Sequence, residues 1–419
     1  MSQTSSGSTV RGLDALARVF SAPQYRLLFA MTSVTMASQW MLRIAQGWLL
    51  WELTGSGGWL GFLAMAELAP GLVLGPVGGV LADRMDRRRL VGLCQVVVAA
   101  VSAATGLLVL FGGVTPVLLV CLAACAGSAA ALQEASRSLL LRDVTPSECL
   151  PTGMSLTAIS VNVTRFLGPA IAGPLIANVG PSIVFWINTV SALLLLVVVS
   201  RLSAQAEQAA GRGAHFMIDL WRGVAAAASH PVITPVLVIF AVTAIAVRPL
   251  YELMPAFASG LFGGSVEDYS QLVMAVGVGA VVGAVIVTLH ASARPARLFM
   301  WSSLGAAFAL IGFAFARETI GGLAAAAVLG FFMCISAATS QLTVILDADQ
   351  ETGGRVLSVW STLMRAGPAI GAVVMGLAVD VAGYRIPLWC GAGLTILALT
   401  AIMLAGERRR RAPAPETPL

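Results

Sequence analysis

Apolar runs of about 20 residues recur along the chain, each closed by a short polar or charged stretch. A run of that length crosses the ~30 Å hydrocarbon layer of a bilayer as an α-helix. The pattern predicts twelve such spans. The first six lie near residues 27–51, 59–82, 90–112, 115–141, 149–177 and 182–200. The second six lie near 231–259, 270–290, 297–315, 319–345, 353–379 and 384–405. Several exceed the minimum length and hold Gly and Pro inside, which tilted or bent helices accommodate. The Ser- and Thr-rich start lacks a signal-peptide pattern, so the first span is expected to insert as an uncleaved anchor.

The longest polar connection, 201–230, divides these spans six and six. The predicted organisation is a cytoplasmic segment 1–26, a six-helix half 27–200, a linker 201–230, a second half 231–405 and an Arg-rich tail 406–419. Phe216, Leu220, Trp221 and Val224 recur at helical spacing in the linker. They suggest an amphipathic helix on the inner membrane surface, or a plain linker helix. "GPAI" occurs at 168–171 in the fifth span and again at 367–370 in the eleventh, with Arg165 and Arg365 just upstream. The copies lie about half a chain apart, as repeated halves of a transporter would. The fold class predicted is an all-α membrane protein of twelve transmembrane helices in two pseudo-symmetric halves.

Composition narrows the function. Of 419 residues, 58% are hydrophobic and 11% charged, against about 25% charged in soluble domains. The basic residues are Arg throughout and are spread over short loops, which gives no nucleic-acid surface. The cysteines lie in or beside apolar runs without CxxC spacing and read as small buried hydrophobes. His215, His230 and His290 form no ligand cluster, so no metal or cofactor is expected. "GVGAVVG" at 277–283 lacks nucleotide-loop spacing and reads as helix packing, and no Walker loop is present. No nucleophile–base pattern suggests an enzyme.

Arg placement orients the chain. One set of connections holds Arg84, Arg87–Arg89, Arg142, Arg201, Arg212, Arg222, Arg294, Arg297 and Arg355. The termini add Arg11, Arg18, Arg26 and Arg408–Arg411. The other set holds Arg317, Arg385, Glu267 and Asp268. Both termini are therefore expected in the cytoplasm, in a bacterial inner membrane.

The stretch "GGVLADRMDRRRL" at 78–90 resembles the loop between the second and third helices of the major facilitator superfamily, roughly G-x-L-A-D-R-x-G-R-R. Gly79, Leu81, Ala82, Asp83, Arg84, Arg87 and Arg88 match it, and Asp86 replaces its later Gly. The Asp variant is similar to the drug/proton antiporter branch that includes macrolide and siderophore exporters. "QWMLRIAQGWLLWELTGS" (39–56), "NVTRFLGPAIAG" (162–173), "VRPLYELMPAF" (247–257) and "GGRVLSV" (353–359) resemble its first, fifth, seventh and eleventh helices. The resemblance implies the major facilitator fold, alternating access and a conformational latch formed by Gly79, Asp83, Arg84 and Arg88. Asp83 would pair with an Arg or a helix N-terminus of the opposite half. The plainer alternative is a topology signal, preferred for Arg87 and Arg89. Gly168-Pro169, with Gly173 and Pro174, resembles an antiporter signature whose earlier glycines are here Ser155 and Thr164. Gly168, Pro169, Gly367 and Pro368 are expected to serve close helix packing.

Charges inside the spans are the candidate working groups, because a mid-membrane charge costs several kcal/mol. They are Arg43, Glu67, Glu134 with Arg137, Arg165, Arg248, Glu252 and Arg365. At a rise of ~1.5 Å per residue, Arg43, Arg165 and Arg248 lie roughly 24 Å from the cytoplasmic ends of their spans. Glu67 lies about 12 Å below the outer end of its span, at a similar level, and Glu134 about 10 Å from the cytoplasm. Glu67 leads as proton carrier, with Glu134 and Glu252 as alternatives; a permanent Glu67–Arg43 pair is the structural option. Arg165 serves substrate or coupling, or holds carbonyls freed by Pro169. Trp40, Trp48, Trp51 and Trp59 could stack on a drug-like substrate, but an interfacial belt is the preferred reading. Phe331, Phe332 and Met333 are cavity walls or core.

The function expected is proton-coupled export of a hydrophobic or amphipathic small molecule by a monomer: a drug, siderophore or other metabolite, with an anionic group suggested by the excess Arg. A proton-coupled importer and a non-transporting membrane scaffold or sensor are the rivals.

Overall fold

Proline opens many helices in the computed structural model, which describes residues 12–202, 216–228, 230–289, 294–349 and 352–411. Its fixed φ and missing N–H suit a first turn, where that N–H would be unpaired anyway. The helices are α1 Gly12–Ser21, α2 Pro23–Thr54, α3 Gly57–Leu68, α4 Pro70–Arg84, α5 Arg87–Leu110, α6 Pro116–Asp143, α7 Leu150–Val179 and α8 Ser182–Ser200. They continue as α9 Phe216–Ala228, α10 Ile233–Ala246, α11 Met254–Phe262, α12 Val266–Leu289, α13 Pro295–Phe315, α14 Thr319–Asp347, α15 Gly353–Ala382 and α16 Arg385–Arg411. No strand occurs among the described residues. Arg11, Arg212, His215 and His290 lie outside them.

Eleven helical segments among the described residues are long and apolar enough to cross a membrane. They match the second to twelfth expected spans. The expected first span, within α2, is not among the eleven; it is the more polar helix, with Arg26, Gln39, Arg43, Gln46 and Glu52 along its 32 residues.

Two of the expected spans are interrupted at prolines, as bent helices allow. The second is split into α3 and α4 at Ala69–Pro70. The seventh ends α10 at Ala246, makes a 3-10 turn at Arg248–Leu250 and restarts as α11 at Met254. Pro70, Pro249 and Pro255 each remove a backbone donor at these breaks. The second break carries Arg248, Tyr251 and Glu252 off a regular helical course.

Close packing follows small residues, as membrane helices require. A side chain at Gly168 of α7 would collide with the Cβ of Trp40 on α2, and one at Gly367 of α15 with Ala244 on α10. The "GVGAVVG" glycines serve the same purpose: Gly279 and Gly283 lie against the α14 backbone at Ala327 and Phe331. Phe332 packs against Gly305 of α13. Buried polar side chains stitch α2, α5 and α8, where Ser38 donates to Asn188 (2.9 Å) and Asn188 to Ser102 (2.7 Å). The described cysteines are free; Cys94 and Cys149 are buried as expected, but Cys121, Cys125 and Cys390 sit on exposed helix faces.

The two ends of the bundle differ. At the end carrying the α2–α3 and α15–α16 turns, α3 runs tightly against α15, with Gly57 and Gly61 facing Gly376 and Ala372. There Asp380 accepts hydrogen bonds from Gly57 N (2.6 Å), Gly58 N (2.9 Å) and Ser56 Oγ (2.6 Å). Beyond the Ala69–Pro70 break, α4 leaves α15 and packs on α6. A cleft of about 310 Å³ then opens there, lined by Gly71, Leu72, Gly75 and Pro76 of α4 and by Ser361, Thr362 and Arg365 of α15. One end is closed and the other parts into a cleft.

Candidate functional site

The break in the seventh span allows Glu252 to meet Arg43. The Arg43 Nε donates to Glu67 Oε2 at 2.9 Å, and its Nη2 lies 3.9 Å from Glu252 Oε1. One guanidinium therefore bridges two carboxylates from distant parts of the chain. All three side chains are largely buried. Such a pair persists in a low-dielectric interior because removing either sign leaves the other uncompensated. Tyr251 and Tyr269 close the same spot, lining a small void with Arg43, Glu67 and Glu252.

Trp40 is the centre of a second layer. The guanidinium of Arg43 lies 5.3 Å from its ring and that of Arg165 5.0 Å, while Tyr251 meets it edge-on at 6.2 Å. Guanidinium groups favour the negative face of indole. Arg248 rests 5.2 Å over the ring of Phe240, near enough to Arg165 to repel it, with Cys334 beside both. Arg43, Glu67, Arg165, Arg248 and Glu252 thus come together.

Trp40 corrects the interfacial-belt reading. It lies halfway along α2 between two arginines. The outer Trp residues behave differently: Trp48 stacks on Tyr269 and donates to Glu52 (2.7 Å), and Trp51 meets Tyr384. Tyr251 lies in the quoted 247–257 stretch and Tyr269 just before the expected eighth span, and neither is singled out by the sequence.

A cavity of about 360 Å³ opens beside the cluster, with Trp40, Arg43, Gln46, Glu67, Glu134 and Arg137 among its lining residues. That volume is in the range of small-molecule sites. Glu134 pairs with Arg137 on its own helix at 2.9 Å. It stands apart from the Arg43 cluster and lines both the cavity and the α4–α15 cleft. Arg365 lies against Gly71 in that cleft, away from the deep cluster.

The 78–90 stretch has its own geometry. Asp86 caps α5 by accepting from Arg88 N at 2.9 Å, and its carboxylate pairs with the Arg88 guanidinium at 2.7 Å. The Arg88 side chain holds the Asp86 carboxyl below the usual carboxylate range. Arg88 also donates to the Leu202 carbonyl, and Arg87 binds Asp143 at 2.6 Å. The Asp that replaces the pattern's Gly is thus a helix cap. In this conformation Arg88 is held within its own half of the chain rather than across to the other. Among the described residues, Asp83 and Arg84 make no ion pair. Gly79 has open space where a side chain would be.

Within the linker, Gly223 of α9 packs on the backbone of Arg355, while Trp221 and Val224 are exposed. His230 accepts from the backbone N–H groups of Val232 and Ile233 at the start of α10. No cluster of His, Cys, Asp and Glu suited to a metal occurs among the described residues.

A bundle of membrane-crossing helices with ionisable side chains gathered beside a cavity of small-molecule size is built as a transporter. The transmembrane secretion effector family of the major facilitator superfamily matches the chain over residues 15–414, and the chain belongs to that family. It is an integral membrane transporter and not an enzyme. The multidrug efflux pump Tap of Mycobacterium tuberculosis is 27% identical over 405 residues, covering 91% of this chain and 94% of the pump. The enterobactin exporter EntS of Citrobacter koseri is 24% identical over 404 residues, covering 94% and 95%. Among solved structures, the nucleoside transporter NupG shares the fold with a TM-score of 0.74 at 12% identity, covering 92% of this chain and 99% of that one. A bacterial homologue of the lysosomal transporter Spinster shares it at 0.68 and 12%, covering 93% and 98%.

Proposed function

We propose that the protein exports a hydrophobic or amphipathic organic molecule in exchange for protons, by alternating access across a bacterial inner membrane. The chain is read as twelve spans, with α2 as the first, in two six-helix halves, 27–200 and 231–405, joined by the amphipathic linker. The α2–α7 contact at Gly168 and the α10–α15 contact at Gly367 support this reading, because they pair equivalent helices of the two repeats. With both termini cytoplasmic, the closed end faces outward and the α4–α15 cleft faces the cytoplasm. The efflux functions named for Tap and EntS support the outward direction of transport.

One observation carries the coupling: Arg43 bridges Glu67 of the first half and Glu252 of the second, beside the cavity. Rocking the halves apart at the outer end draws Glu252 away and changes the company of Glu67. A carboxylate that gains and loses a guanidinium neighbour changes its proton affinity. Glu67 is the proton carrier in this scheme; Glu252 and Glu134 are the next candidates. In the opposite state Asp83, with Gly79, Arg84 and Arg88, latches the cytoplasmic end against the second half. Asp83 is then free here because this end is open. The protein works as a monomer.

The test uses purified protein in liposomes under an imposed pH gradient, with fluorescent amphipathic compounds and wild type beside Glu67→Gln. Exchange in wild type and at least a tenfold slower rate in the variant is expected, tenfold being about 1.4 kcal/mol of barrier. Undiminished exchange in the variant makes Glu67 a structural partner of Arg43. Compound and proton moving together make the protein an importer.

A further inference from the structure

The central cluster holds more positive charge than the protein neutralises. Three arginines meet there, Arg43, Arg165 and Arg248, with two carboxylates, Glu67 and Glu252. Both carboxylates are on Arg43. Among the described residues, neither Arg165 nor Arg248 has a carboxylate partner or donates a hydrogen bond to a carbonyl. Arg165 therefore does not hold carbonyls freed by Pro169.

Each of the two rests on an aromatic face instead, Arg165 on Trp40 and Arg248 on Phe240. This choice of partner has a geometric consequence. A ring below a guanidinium uses its flat face and leaves the N–H donors around its edge available. Those in-plane donors match the two oxygens of a carboxylate or similar oxyanion. The two arginines also come from opposite halves of the chain and repel one another. An anion between them would relieve that repulsion. Two positive charges within membrane-spanning segments are costly unless something supplies the counter-charge.

Access is available. Arg165 is exposed, although α7 carries it midway along its length and its neighbours come from both halves: Trp40 on α2, Tyr251 and Cys334 beyond the linker. Trp40, which Arg165 overlies, forms part of the wall of the 360 Å³ cavity; the cavity is lined by residues of α2, α3 and α5–α8, and Arg165 and Arg248 lie beyond its wall.

We infer that Arg165 and Arg248, seated on Trp40 and Phe240, bind the acidic group of the transported molecule, so that the substrate is an amphipathic organic anion. Its apolar part lies along the Trp40 wall of the cavity. This rests on the reading of the protein as a transporter and adds the charge class of its substrate.

Three fluorescent probes share one aromatic body and differ in charge: dansylglycine (anion), dansylamide (neutral) and dansylcadaverine (cation). Their binding to purified full-length protein is measured by fluorescence titration. Wild type is expected to bind dansylglycine at least about tenfold more tightly than dansylamide, the lower end of what one charge-assisted hydrogen bond gives. Dansylcadaverine is expected to bind weakest. Arg165→Gln, at an exposed position that tolerates the change, should bring the anion and neutral probe within about threefold, and Arg165→Gln/Arg248→Gln should abolish the preference. Arg317→Gln, which removes one positive charge from an exposed connection, should keep it. The inference is overturned by a cation bound as tightly as the anion, by absence of dansylglycine binding to wild type, or by an anion preference that survives in the double variant. Proton movement is read separately in liposomes. Proton exchange without charge preference removes the anion claim alone. Charge preference without proton movement removes the exchange reading alone.

Discussion

Arg43→Met is expected to be the most damaging single change in the membrane interior, lowering unfolding free energy by about 3–5 kcal/mol. Arg43 is the ion-pair partner of both Glu67 and Glu252, at 2.9 and 3.9 Å. Its loss leaves two partly buried carboxylates facing one another with no cation between them. Neutralising the acids as well restores the balance. Arg43→Met/Glu67→Gln/Glu252→Gln should recover most of the lost stability, because uncharged side chains of similar volume avoid the cost of an unpaired charge. The triple variant should still fail to exchange protons. Thermal unfolding in detergent micelles, with proton flux in liposomes, separates the two effects. Equal stability of Arg43→Met and wild type would show that the pair contributes nothing to the fold. Proton exchange by the triple variant would move the carrier to Glu134.

Asp380→Ala is expected to shift the conformational balance toward opening of the end that is closed here. The Asp380 carboxylate accepts from Gly57 N, Gly58 N and Ser56 Oγ at the first turn of α3. A carboxylate at a helix N-terminus satisfies donors that the helix leaves unpaired and meets the positive end of its dipole. The contact joins α15 to α3 and so must break when that end opens. Its loss is worth about 2 kcal/mol, roughly a thirtyfold change in the closed-to-open ratio. Spin labels at positions 53 and 381, near the ends of α2 and α15, report the change as a fall in the short-distance population. An unaltered distance distribution in Asp380→Ala would mean that glycine-mediated packing alone holds this end shut.

The sequence carried the helices well, because bilayer thickness sets the length of each apolar run. A fixed rise per residue converts position into height, which is why Arg43, Glu67, Arg165 and Arg248 could be grouped from the sequence. Partnership was harder to read. Arg43 and Glu252 lie far apart in the chain, and only the packing of α2 against the broken seventh span brings them together. That break was foreshadowed by Pro249 and Pro255, but apolar periodicity alone did not place it. Trp40 was misread because Trp48, Trp51 and Trp59 nearby do lie toward the helix ends. Asp380 was passed over, since an acid at the end of an apolar run looks like a solvated terminus until its backbone partners are known. Asp86 looked like a departure from a glycine turn, yet a cap needs the same place in the chain and a carboxylate serves it.

The most direct measurement follows proton and compound together. Wild-type protein in oriented liposomes is given an outwardly directed compound gradient with a pH indicator sealed inside. Each departing compound molecule is expected to be accompanied by protons entering, so the interior acidifies as the compound leaves. An interior that becomes more alkaline, or stays unchanged while the compound crosses, would contradict proton exchange.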